Sequence, residues 1–192
     1  MGGNVKIKCF DIKELPILNW HDGAGTSQEV FCWPVASDYS LRASIATIEQ
    51  DSYLKRYAEG ERLVVLLNDQ SLLLTDTKAF ECRLERAGDH AQFSAQQFCA
   101  IKVLQPSVQL MNFIFRGDRW GAKSYFITED YKLPANQAGL VYVLKGEWDI
   151  SGANCHLLAQ GQGAWWLPDI GEGEIKPLST DSKLIWIELL PR

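Results

Sequence analysis

From residue 61 to residue 74 the chain reads ERLVVLLNDQSLLL, two apolar runs around the polar break Asn68-Asp69-Gln70. Short apolar runs rich in β-formers, interrupted by turn residues, predict two strands joined as a hairpin. The pattern returns as GLVYVLKGEWDI over residues 139–150, with Leu63 matching Leu140 and Leu67 matching Leu144 at an offset of 77. Residues 44–49 (SIATIE) resemble residues 124–129 (SYFITE). Residues 108–115 fall on 182–189 at an offset of 74, which sets Asn112 against Trp186. Such a repeat divides the chain into two related halves.

Other segments carry the same signature. Residues 5–10, 27–33, 80–84, 100–104, 108–115, 155–158 and 184–189 read as strands, and Pro34 ends the second of these or moves it to a sheet edge. In residues 40–48, Arg42, Ser44 and Ala46 share one face, and Leu41, Ala43 and Ile45 share the other. Residues 18–26 read as a glycine-bearing loop and residues 161–173 as a turn-rich segment. No long 3.6-residue period occurs, and residues 53–62 are the best short helix candidate. Many short strands with turn signals every 8–12 residues or so predict sandwiches or barrels. The expected fold is all-β: two tandem jelly-roll β-barrels with little helix, covering residues 1–120 and 121–192. The first strand is free to join either half.

Composition narrows the function. At 46% hydrophobic and 22% charged, the chain has the make-up of a globular protein rather than a disordered one. A net charge of −5 argues against nucleic acid or an anionic membrane as partner. Five cysteines, odd in number and with no CxxC, read as reduced thiols in a cytoplasmic protein. The first ten residues hold no signal-peptide core. Lys6 stands where a myristoylation motif would have Ser or Thr, and no run approaches the roughly 20 apolar residues of a membrane helix.

Four motifs in order carry a family resemblance: Trp20-His21-Asp22-Gly23-Ala24-Gly25-Thr26, Leu41-Arg42-Ala43-Ser44-Ile45-Ala46, Glu61-Arg62 before the apolar run, and Asn112 with Arg116-Gly117. Together they resemble the HutD/Ves family of bicupins over nearly all of residues 14–192. The family usually shows an asparagine and three glycines where this chain has Asp22 and Ala24 among its glycines. It also tends to carry Gly-Asp where Ala95-Gln96 stand here. The resemblance implies a non-catalytic or regulatory small-molecule role. The family's names link it to histidine utilisation and stress induction.

Metal-binding cupins hold their ion with two histidines spaced HxH, a glutamate and a third histidine. This chain has only His21, His90 and His156, widely scattered, and Arg62 stands seven residues before Asp69, where the glutamate would be. A guanidinium cannot ligate a cation. No metal and no cofactor is therefore expected. If Arg62 points inward, Arg62, Arg42, Ser44 and Asn112 line one cup suited to a small carboxylate, because guanidinium and carboxylate form paired hydrogen bonds. Trp20 and Thr26 would line its mouth. Alternatively the two arginines pair with Glu29, Glu49 or Glu61. A metal-free isomerase or lyase using Glu29, Glu49 or His21, or a structural homo-oligomer with a filled cup, are the other readings. No GxSxG or phosphate-binding loop occurs. The aromatic second half is expected to be a packed scaffold, and a homodimer is the default association.

Overall fold

The structure is a computed structural model that describes residues 7–151, 156–168 and 173–192. Gly2, residues 5 and 6 of the expected first strand, Cys155, and residues 169–172 of the expected turn-rich segment lie outside the described residues. The described residues are all-β, with one 3-10 turn at Ile12–Glu14. None of its described helices is long and apolar enough to cross a membrane.

One compact unit spans Leu15–Trp120, and the other joins Gly121–Arg192 to the N-terminal residues up to Glu14. In the first unit a six-stranded antiparallel sheet runs in the order Leu18–Asn19, Gly25–Val35, Asp38–Ile48, Val108–Phe115, Glu61–Leu66 and His90–Ser94. A four-stranded sheet runs Ser52–Tyr53, Ala100–Val103, Leu72–Thr75 and Glu81–Leu84. Their facing sides share one core, to which Ile48, Val64, Leu66 and Leu110 come from the larger sheet and Leu72, Leu74, Leu84 and Ile101 from the smaller. The second unit repeats the plan. Five strands run Lys8–Asp11, Gln162–Trp166, Ala138–Lys145, Lys183–Pro191 and Trp120–Ile127. Four more run Tyr131–Leu133, Gly173–Pro177, Glu147–Ser151 and His156–Ala159. The N-terminal strand thus belongs to the second unit, pairing Lys8 with Trp165.

Three sequence expectations are corrected. The two apolar runs of residues 61–74 are strands, but they are not partners. Glu61–Leu66 lies between Val108–Phe115 and His90–Ser94, whereas Leu72–Thr75 belongs to the other sheet. The Ala138–Lys145 and Glu147–Ser151 strands divide in the same way. The polar break therefore carries the chain across the core, from one sheet to the next. Residues 53–62 form no helix: Ser52–Tyr53 is a strand, and an irregular loop leads to the strand that opens at Glu61. Within residues 161–173, Gln162–Trp166 is a full strand between two partners.

The repeat is visible in which side chains face the core. Val64 and Leu66 correspond to Val141 and Val143 at an offset of 77, and Leu110 corresponds to Leu184 at 74. The match of residues 44–49 to 124–129 is out by one. Ala46 and Ile48 face the first core while Tyr125 and Ile127 pack on the second, and Phe126, which the sequence match sets on Ala46, is 41% exposed. A slip of one residue turns a whole strand over, so identity of letters cannot fix this register.

Candidate functional site

Three neighbouring strands of the six-stranded sheet set the site. Ile114 lies opposite Arg42 on one side and Arg62 on the other, and Asn112 lies opposite Ser44 and Val64. Strand alternation therefore puts Arg42, Ser44, Arg62 and Asn112 on one face. That is the face whose other end, at Ala46, Ile48, Leu66 and Leu110, is packed with apolar side chains. The inward side of the sheet is thus apolar at one end and polar at the other.

Arg62 is only 1% exposed. Its Nη1 donates to Asn112 Oδ1 at 3.0 Å, and its Nη2 donates to the Lys55 carbonyl. The guanidinium carbon lies 5.6 Å from the Tyr57 ring centre and 6.0 Å from that of Phe93, the residue opposite it on the neighbouring strand. Its Nε is buried with no hydrogen-bond partner. Among the described residues no carboxylate pairs with it; the ion pairs involve other cations. Burial pushes its pKa down, yet an arginine stays charged in a protein. Nearby groups do not neutralise it. Burial pushes the Cys99 thiol up to about 11 and raises the Tyr39 phenol, so both keep their protons at neutral pH.

Tyr57 reaches Arg62 because its loop is tied to the Ser94–Gln97 turn. Tyr57 N donates to Ala95 O at 2.9 Å, Ala95 N donates to Gly60 O at 2.9 Å, and Arg56 Nε donates to Gln96 O at 2.8 Å. The Gln96 amide donates to the Ala58 carbonyl. Gly60 takes φ +107, a conformation that side chains disfavour, where this loop turns into the Glu61 strand.

Arg42 is differently placed. Its Nε lies 3.0 Å from Glu29 Oε1, and the two side chains are 29% and 41% exposed. Its guanidinium carbon sits 5.8 Å from the Tyr39 ring and 5.6 Å from the Tyr57 ring. The two arginines therefore share Tyr57, but only Arg42 has its own carboxylate. The other acid-base candidates are elsewhere. Glu49 accepts from Ser107 N and Oγ at 3.0 and 2.9 Å, and His21 is exposed in the loop after Leu18–Asn19.

Trp20 and Thr26 are not brought to the arginines. Trp20 packs against the apolar core, and its Nε1 donates to Ser27 Oγ at 2.7 Å. Thr26 lies opposite Thr47, on the reverse face of the strand that carries Arg42. Their loop is a tight connection. Gly23 takes φ +71, and a Cβ on Gly25 would meet Thr47 O at 2.7 Å. Asp22 holds this loop: it accepts from Ser52 Oγ, and from Ala24 N at 2.9 Å. These bonds, that from Ser52 first, hold its carboxyl below the usual range. A depressed carboxyl adds stability above its unfolded pKa, and that contribution is lost as pH falls through the folded value. Thermal midpoints measured from about pH 5 down to pH 2 should therefore fall less steeply in Asp22→Asn than in the parent. Superimposable profiles would contradict the assignment.

In the second unit the corresponding space is filled. Gly139 stands at the position of Arg62 and Trp186 at that of Asn112, by the two offsets that the cores share. A Cβ on Gly139 would overlap Cη2 and Cζ3 of Trp186, so the indole lies directly on the glycine. Trp186 stacks on Trp166 at 5.3 Å and 14°, and both are buried.

No three His, Cys, Asp or Glu side chains come together among the described residues. Tyr57, Phe93 and the Lys55 carbonyl were not singled out in the sequence. A signal existed: residues 55–57 lead almost directly into the strand that carries Arg62.

Two sheets around a common core, repeated twice, make a cupin-like fold. The HutD family model matches residues 12–183, and the chain belongs to that family. It is 28% identical over 184 residues to Protein Ves of Cronobacter sakazakii, covering 95% of this chain and 98% of that one. The structure of HutD from Pseudomonas fluorescens SBW25 superposes with a TM-score of 0.83 at 16% identity, covering 97% of this chain and all of that one. The formate complex of Lactobacillus farciminis oxalate decarboxylase shares the fold more distantly, with a TM-score of 0.68 at 10% identity over 97% of this chain and 86% of the other.

Proposed function

We propose that this protein is a cytoplasmic bicupin of two tandem jelly-roll units. Its first cup binds a small carboxylate metabolite without turning it over, in a regulatory rather than a catalytic role. One observation carries the reading: Arg62 is a buried guanidinium with no carboxylate of its own and with an unused Nε. The effective penalty for burying an unpaired charge is several kcal/mol, and an external anion removes much of it. Asn112 orients the guanidinium, Ser44 adds a hydroxyl on the same face, and Tyr57 covers the group from the loop. The formate named with the oxalate decarboxylase relative is a ligand of the same chemistry.

The test is a thermal-shift screen of small carboxylates, amino acids and histidine-breakdown products. A ligand at 100 times its Kd adds about 2.7 kcal/mol to stability and raises the melting temperature accordingly. A screen in which no carboxylate raises it contradicts the proposal. The near-complete burial of Arg62 under Tyr57 favours one other reading, a filled cup with a purely structural cation. That reading requires a flat screen.

A further inference from the structure

We infer that Glu29 sets the charge of the ligand: by occupying Arg42 it leaves Arg62, among the described residues, as the one buried cation of the cup without a counter-charge, and so selects monocarboxylates over dicarboxylates. The inference rests on the carboxylate-binding reading of Arg62.

The two arginines would otherwise form a pair. They lie on one face, each opposite Ile114, and each has its guanidinium carbon 5.6 Å from the Tyr57 ring centre. Two free guanidinium groups so placed would favour a ligand with two negative charges, because each would form its own charge-assisted bonds. Glu29 changes the balance. It lies opposite Ser44 on the adjoining strand, and its Oε1 is 3.0 Å from Arg42 Nε. A second ligand carboxylate would have to displace this internal one, or lie close to it and meet like-charge repulsion. Lys55 also has its ammonium near Tyr57, at 5.7 Å, but it is exposed, where water and salt screen it. The charge available to a ligand inside the cup is therefore a single positive one. Glu29 touches Arg42 and not Arg62, so it acts on specificity and not on the anchoring of the first carboxylate.

The test compares propionate with succinate at neutral pH by calorimetric titration of the parent, Glu29→Gln, Glu29→Gln/Arg42→Gln and Arg62→Met. The parent should bind propionate more tightly than succinate. Glu29→Gln frees Arg42 and should raise succinate affinity about tenfold, the scale of one charge-assisted hydrogen bond, while propionate stays within about twofold. The double variant should return succinate to its parental affinity, which separates the freed arginine from any general loosening of the strand. Parental affinity for succinate equal to or above that for propionate, or a Glu29→Gln change equal for both ligands, would overturn the inference while leaving the Arg62 reading intact. Failure of the parent to bind either ligand, or binding unaltered by Arg62→Met, would remove that reading and this inference together.

Discussion

Gly139→Ala should destabilise the protein by about 3 kcal/mol, the upper end of the usual range for overpacking, and most of that cost should require Trp186. The added Cβ would overlap two atoms of the indole and would also lie 2.9 Å from the Ile187 carbonyl. The indole has little room to yield, being stacked on Trp166 and fully buried. Trp186→Ala alone should cost about 3–5 kcal/mol through lost burial and the cavity left behind. In that background Gly139→Ala should cost about 1 kcal/mol, because the indole atoms are gone and only the 2.9 Å approach to the Ile187 carbonyl remains. Urea denaturation of the four proteins gives the coupling directly. Additive effects would show that Trp186 does not occupy the space above Gly139, and that the second cup is not closed in this way.

Arg62→Met/Asn112→Leu should make the protein more stable in carboxylate-free buffer, by about 2 kcal/mol. Replacing buried charged groups with apolar ones of similar volume is often neutral or stabilising by about 1–4 kcal/mol. Arg62→Met alone would leave Asn112 Oδ1 without the donor it has at 3.0 Å, which is why both residues are changed. Stabilisation by removing a binding group is the usual sign of a site kept for function at the expense of stability. A loss of several kcal/mol, seen in the same denaturation experiment, would instead mark Arg62 as a fully satisfied structural cation.

The polar end of the first cup was legible from alternation. Arg42 and Ser44 had to share a face, but that Arg62 would join them held only if it pointed inward. Pairing partners were not legible. A strand, a turn and a second strand read the same whether the two strands pair or, as at residues 61–74, enter different sheets. Nor could alternation find Tyr57, which lies in an irregular loop and reaches Arg62 through bonds to Ala95 and Gln96. The Arg42–Glu29 pair was among the alternatives weighed, but the sequence could not say that Glu29 would choose Arg42 and leave Arg62 alone. That choice depends on which strands pair, since pairing sets Glu29 opposite Ser44 on the strand that carries Arg42. That aromatics pack the core of the second half agrees with the stack of Trp166 on buried Trp186. The closure itself, an indole seated on a glycine, depends on contact between two strands.

Calorimetric titration of propionate into the parent and into Arg62→Met, with circular dichroism confirming that both are folded, tests the central assignment most directly. Saturable heat in the parent that disappears in the variant is the predicted result. Equal heats in the two proteins, or none in either, would contradict it.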